Sequence, residues 1–213
     1  MNEVCGTSDG SGAFGAGDAV AAGTRRHVLR RSAAVGAAVL GGGALLGLRP
    51  EAADPAPSAS TDRKIFTFAL QLEHLQAAFY AAAVAAGALS GEVLDFAKTL
   101  AGHEREHVQF LRKALGTSDD PPKFEFGKAV QSRSAFLTTA VLLENTGVAA
   151  YNGQAANLTK KSLAAAAQIV SVEGRHAAWA SSLAGREPAP RAADPGATAK
   201  AIARTLQQTG FQR

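Results

Sequence analysis

The tetrapeptides Glu104-Arg105-Glu106-His107 and Glu173-Gly174-Arg175-His176 share one spacing, a glutamate followed three residues later by a histidine. In an α-helix positions i and i+3 are neighbours on one face, so each pair can aim a carboxylate and an imidazole at a common point. Two further glutamates, Glu73 and Glu144, each stand one segment ahead of a pair. The order Glu, Glu-x-x-His, Glu, Glu-x-x-His suits four inward-facing helices that hold two metal ions side by side.

Working outward, each of the four acids falls within an apolar stripe of three- and four-residue steps. The first stripe is Phe66, Leu70, Glu73, Ala77, Tyr80 and Val84, and the second Val93, Phe96, Leu100, Glu104, His107 and Leu111. The third is Leu137, Ala140, Glu144, Val148 and Tyr151, and the fourth Ile169, Glu173, His176, Ala180 and Leu183. An uncompensated carboxylate in an apolar interior costs several kcal/mol, against a net stability of about 5 to 15 kcal/mol for a whole domain. Four are tolerable only if cations offset them. Two divalent ions bring four positive charges, and neutral imidazoles complete the ligand set. Oxygen and nitrogen donors without thiolate suit iron or manganese.

Capping residues and glycines divide the chain. Thr61 or Asp62 caps a first helix running to Gly87, and Ser90 caps a second running to Gly116; these form an antiparallel hairpin. The Pro-containing stretch after Thr117 and the extended-looking 123–126 form a connection that spans the bundle. A third helix fits Ser132 to about Asn157, a fourth Ser162 to Ala184, and a short amphipathic helix about Ala197 to Gln208. No alternating apolar and polar run suggests a sheet. The fold class is all-α: an antiparallel four-helix bundle of two hairpins joined by a long crossover, plus a short C-terminal helix.

The chain has 213 residues, of which 46% are hydrophobic, and a formal charge of +4. That suits one helical domain with an appendage. The small surplus of basic residues, without a basic cluster interleaved with aromatics, is no argument for a nucleic-acid partner, and none is expected. The single cysteine, Cys5, lies outside the expected bundle, which therefore has neither a disulfide nor a thiolate ligand. Thr24-Arg25-Arg26-His27-Val28-Leu29-Arg30 precedes a Gly- and Ala-rich apolar run, Ala33 to Leu48. This resembles a twin-arginine export signal, which implies the twin-arginine machinery as a partner and export of an already folded protein to the periplasm or another extracytoplasmic space. The run is shorter than the roughly 20 apolar residues of a transmembrane helix, so the mature form is expected to have no stable membrane span, with an uncleaved anchor as the alternative. The domain plan is 1–53 signal region, 54–61 linker, 62–185 bundle, and 186–213 Pro/Ala-rich tail with a short helix.

From Asp62 to Ala184 the six residues Glu73, Glu104, His107, Glu144, Glu173 and His176 resemble the ligand set of the ferritin-like superfamily of di-iron and di-manganese carboxylate proteins. More narrowly, the chain is similar to the exported bacterial ferritin-like group associated with desiccation-related, stress-response proteins. The intervals between the glutamates, 31, 40 and 29 residues, follow the short-long-short pattern of that family. The resemblance implies two iron ions, or two manganese ions, with His107 and His176 each holding one. It implies bridging by Glu104 and Glu144 or their symmetry mates, with Glu73 and Glu173 more terminal, and the sequence does not choose among them. Short helices and the Pro-interrupted tail argue against a many-subunit storage shell; a monomer or homodimer is expected. The implied activity is oxidation of Fe(II) with reduction of O2 or peroxide, and the alternative is a non-catalytic exported stress or metal-binding scaffold.

One rival overlaps the same letters. His103-Glu104-Arg105-Glu106-His107 is a literal H-E-x-x-H, the zinc-protease motif. The apolar stripe sets His103 on the flank of the Glu104/His107 face, and the protease reading leaves Glu73, Glu144, Glu173 and His176 without a role. His103 is expected as a flank residue or an outer partner of a ligand, and His74 as an ordinary surface histidine. Tyr80 and Tyr151, each two turns after a lone glutamate, are expected as core residues with satisfied hydroxyls, or as donors to a ligand. Trp179 is expected as packing, and Arg105 and Arg175 as solvated charges.

Overall fold

The computed structural model describes residues 56–212; the stretch that resembles an export signal lies outside them. Five α-helices follow in order: α1 (Ala59–Ala86), α2 (Gly91–Leu115), α3 (Arg133–Gln154), α4 (Lys160–Leu183) and α5 (Ala199–Thr209). Helices α1 and α2 form one hairpin, α3 and α4 the other, and 116–132 crosses between them. No helix among the described residues is long and apolar enough to cross a membrane.

The helix ends show what the local sequence determines. Gly87 and Gly116 adopt φ of 68° and 64° just past α1 and α2, a left-handed conformation that spares only glycine a Cβ clash. Ser132 caps α3, its hydroxyl accepting from the Ala135 amide at 3.3 Å. The start of α1 differs from expectation: Ser58, not Thr61 or Asp62, is the cap, and accepts the Thr61 N–H at 3.1 Å. Residues 58–61, assigned from sequence to a linker, therefore open the bundle.

Asp62 is used elsewhere. Its carboxylate accepts the Thr159 N–H at 2.9 Å and the Thr159 and Ser162 hydroxyls at 2.6 Å each. Burial pushes this carboxyl up, but the hydrogen bonds from Ser162 and Thr159 outweigh it and hold the group below its usual range. Asp62 of α1 thus caps α4 from across the bundle, and α4 begins at Lys160 behind Thr159 rather than behind Ser162. At the end of α3, Ala155–Asn157 tighten into a 3-10 turn, so the α-helix stops short of Asn157.

The core has two apolar ends with the acids between them. Phe79, Tyr80, Phe96, Phe126 and Phe136 fill one end, Phe79 and Phe136 stacked at 5.4 Å and Trp179 edge-on to Phe96 at 5.0 Å. Burying each such aromatic side chain stabilises the fold by about 2 to 3 kcal/mol. Phe66, Leu70, Val108, Leu111, Tyr151 and Ile169 fill the other end.

The tail docks on the bundle. Ile202 of α5 is 3% exposed and packs with Leu72 and Ala150, and the Ala197 N–H donates to Ala149 O at 2.9 Å. The approach requires two glycines: a Cβ on Gly153 would lie 1.9 Å from Ala197 O, and one on Gly196 would lie 2.8 Å from Gly153 Cα. An isolated antiparallel bridge, Phe124 with Gln212, joins the crossover to the chain end.

Candidate metal centre

Each helix of the bundle delivers its acid to one buried point. Glu73 from α1, Glu104 from α2, Glu144 from α3 and Glu173 from α4 are all fully buried, with His107 and His176 beside them at 8% and 3% exposure. His107 Nδ1 lies 3.2 Å from Glu73 Oε2, 3.2 Å from Glu104 Oε2 and 3.3 Å from Glu173 Oε1. His176 Nδ1 lies 3.0 Å from Glu104 Oε1, 3.3 Å from Glu144 Oε2 and 3.6 Å from Glu173 Oε1. All six sequence-derived ligand candidates come together, in two overlapping clusters: Glu73, Glu104, His107 and Glu173, and Glu104, Glu144, Glu173 and His176.

The overlap assigns the shared acids. Glu104 and Glu173 face both histidines, whereas Glu73 approaches only His107 and Glu144 only His176. The resemblance left the choice of bridging glutamates open, and Glu104 and Glu173 are the two that both clusters contain. The reason lies on the helices: a glutamate one turn before a histidine on α2 or α4 sits between its own imidazole and the opposing one, while α1 and α3 each approach from one side.

The donor set fits cations better than it fits itself. One imidazole nitrogen surrounded by three carboxylate oxygens has at most one proton to give. Glu104 Oε1, Glu144 Oε2, Glu173 Oε1 and His176 Nδ1 are buried without a well-formed hydrogen bond, although His176 Nδ1 and Glu104 Oε1 are only 3.0 Å apart. Buried polar atoms are seldom left so. Ligands held about 2.0 to 2.1 Å from a small divalent ion in octahedral geometry sit roughly 3 Å from one another, which is the spacing found here. These clusters could hold metal ions.

Without cations the centre neutralises itself with protons. Burial pulls the His107 imidazole down, but its close contacts with the carboxylates of Glu104, Glu173 and Glu73 outweigh that and push it up to about 12. His176, opposed by burial in the same way, is pushed up to about 11 by Glu104, Glu144 and Glu173. Burial and the Glu173 charge hold Glu104 well above the usual carboxylate range and raise Glu144. Glu173 is also penalised by burial, yet the two histidines bring it below that range.

Around the ligands sits a polar shell only part of which the sequence revealed. The Tyr80 hydroxyl donates to Glu144 Oε1 and the Tyr151 hydroxyl to Glu73 Oε1, both at 2.6 Å. The pairing is crossed, each phenol serving the lone glutamate of the other hairpin. Burial first, then the acceptor carboxylate, raises both phenols far above their ordinary range, so both remain donors. Gln76, fully buried, donates from Nε2 to Glu144 Oε1 at 3.1 Å and Glu173 Oε2 at 3.4 Å. It was missed, although Glu73-x-x-Gln76 repeats the ligand spacing. The equivalent position on α3 is Gly147, and a Cβ there would lie 2.5 Å from Glu173 Oε2 and 3.4 Å from Gln76 Nε2. Gly147→Ala is therefore expected to weaken the ion beside His176 by about 10- to 100-fold, the range for a disturbed outer contact. The helix itself gains up to about 1 kcal/mol of propensity. Metal titration together with thermal melting of the chelated protein separates the two effects.

His103 belongs to neither cluster: its Nδ1 meets His176 Nε2 at 2.9 Å, with the rings stacked at 5.1 Å. The H-E-x-x-H register thus does not bring its two histidines to one ion. His74 is a correction, since it lies 8% exposed rather than on the surface; burial, then the Arg112 charge, lowers it and keeps it neutral. Arg105 is exposed, and Arg175 is exposed at the rim of a cavity of about 420 Å³ that also reaches His103, His107, His176 and Trp179.

Residues 61–186, over half of the chain, match the family described as the ferritin-like domain, and the chain belongs to that family. Comparison with curated proteins returns no match.

Proposed function

We propose that this ferritin-like chain binds a dinuclear iron centre, with manganese as the alternative metal, and couples Fe(II) oxidation to the reduction of O2 or peroxide. The observation that carries this reading is the arrangement in which each histidine Nδ1 faces three carboxylate oxygens at 3.0 to 3.6 Å. Two bound ferrous ions supply one electron each, enough to take O2 to hydrogen peroxide or hydrogen peroxide to water, with two protons consumed in either case.

The protein residues set the conditions for that chemistry. Four glutamates balance four positive charges, Glu104 and Glu173 hold the two positions together, and His107 and His176 close them. Tyr80, Tyr151 and Gln76 fix the carboxylates by hydrogen bonds and so pre-organise the donor set. The aromatic cluster of Phe79, Phe96 and Phe136 excludes water from one end of the centre, and the cavity that reaches His107 and His176 admits a small oxidant. The Thr24 to Arg30 motif supports export by the twin-arginine machinery, with the metals inserted before translocation and a periplasmic or extracytoplasmic destination.

The test is metal analysis of protein folded in the cytoplasm, followed by anaerobic Fe(II) loading and exposure to O2 or peroxide. Two ions per chain and a near-ultraviolet absorbance change that is lost in His176→Ala are expected. No bound metal and no spectral change would overturn the proposal.

A further inference from the structure

We infer that His103 is a positioning residue for the opposite helix: it holds His176 in the tautomer and orientation that present Nδ1 to the carboxylates, and links it to the solvent-facing cavity. The inference rests on the dinuclear reading above and extends it to a residue outside the donor set.

The argument starts from His176. Its Nδ1 faces Glu104, Glu144 and Glu173, so with an ion among those oxygens the Nδ1 lone pair must point inward and the ring proton must sit on Nε2. A buried N–H needs an acceptor. His103 Nδ1, at 2.9 Å, is that acceptor, contributed by α2 to a histidine 73 residues away on α4. The rings lie within 15° of parallel, so stacking fixes the tilt of His176 while the hydrogen bond fixes its rotation. Metal-binding histidines are commonly oriented by such an outer partner, usually a carboxylate or carbonyl.

His103 itself is exposed, although His176 is buried. It lines the same cavity as Glu106, His107, Arg175 and Trp179. No hydrogen bond from a second imidazole orients His107 among the described residues. The centre is therefore asymmetric, and the two histidines of the H-E-x-x-H run divide their work, His107 as a candidate ligand and His103 as the support of the other hairpin's ligand.

The test uses Mn(II) titration of the full chain followed by paramagnetic resonance, with metal content measured independently. His103→Phe keeps ring volume and stacking but removes the acceptor; it is expected to weaken one of two Mn(II) ions by about 10- to 100-fold and leave the other within about threefold. His103→Gln, whose amide oxygen can accept from Nε2, is expected to restore most of the loss. Equal binding of both ions in His103→Phe, equal weakening of both, or no rescue by His103→Gln overturns the inference. A wild-type chain that takes up no Mn(II) would instead overturn the dinuclear reading. Long-range proton–nitrogen NMR of the metal-free wild type then still judges the contact: an unprotonated His103 Nδ1 accepting from His176 Nε2 is expected, and a protonated His103 Nδ1 overturns the inference. Circular dichroism confirms that each variant is folded.

Discussion

Glu173→Ala is expected to abolish binding of both metal ions, whereas Glu73→Ala and Glu144→Ala are each expected to weaken chiefly one. The asymmetry follows from position. Glu173 Oε1 lies 3.3 Å from His107 Nδ1 and 3.6 Å from His176 Nδ1, so its removal takes an oxygen from both donor sets. Glu73 and Glu144 each belong to a single set. Disturbing an outer partner of a ligand costs about 10- to 100-fold in affinity, so losing a ligand itself is expected to exceed about 100-fold for each ion. The measurement is bound metal after gel filtration at matched free-metal concentration.

The same substitution is expected to be mild in the metal-free protein. Glu104 and Glu144 already sit above the usual carboxylate range because burial and the Glu173 charge disfavour their ionisation. Deleting Glu173 relieves that repulsion, while the carboxylates of Glu73, Glu104 and Glu144 still lie against the two histidines. The helical circular dichroism of Glu173→Ala with chelator present should match that of the wild type. A Glu173→Ala protein that keeps either ion at wild-type affinity would show that Glu173 is not shared.

What could be read before the structure was what repeats along a helix. Apolar residues at three- and four-residue spacing, with an acid mid-stripe, carried both the bundle and the six convergent side chains, because a helix face is a local property. What could not be read lies across the bundle. Asp62 has the chemistry of a cap and sits near the start of α1, yet it caps α4, a choice made by the packing of two helices. Gln76 keeps the ligand spacing but carries an amide, and its place over Gly147 depends on which helix faces which. His103 sits one residue off the apolar stripe, and only the meeting of α2 with α4 gives it His176 as a partner. The tail offers no periodic signal for the seat between Gly153 and Gly196, where one backbone lies against another.

Removal of both ions at neutral pH is expected to lower the melting temperature by about 10 to 30 °C without unfolding the protein, and the size of that shift should grow with pH. Each ion at 100 to 1,000 times its dissociation constant stabilises the folded state by about 2.7 to 4.1 kcal/mol, and in a domain of this size each kcal/mol moves the midpoint by about 2 to 4 °C. The metal-free state survives because protons replace the cations. His107 and His176, raised to about 12 and about 11 in the fold from an ordinary value of 6.5, are imidazolium at pH 7. A folded-state value above the unfolded one stabilises fully below pH 6.5 and is lost only as pH rises through about 11 to 12, so the proton-filled centre holds at neutrality. Metal must displace those protons. Loading both positions near pH 7 should therefore release about two protons from the histidines, with any held by Glu104 and Glu144 in addition, and affinity should rise with pH. A pH-stat titration with anaerobic Fe(II) or with Mn(II) reads the release directly. Loading that releases no protons, or binds more tightly as pH falls from 8 to 6, would contradict a centre in which imidazolium and metal compete for the same carboxylates.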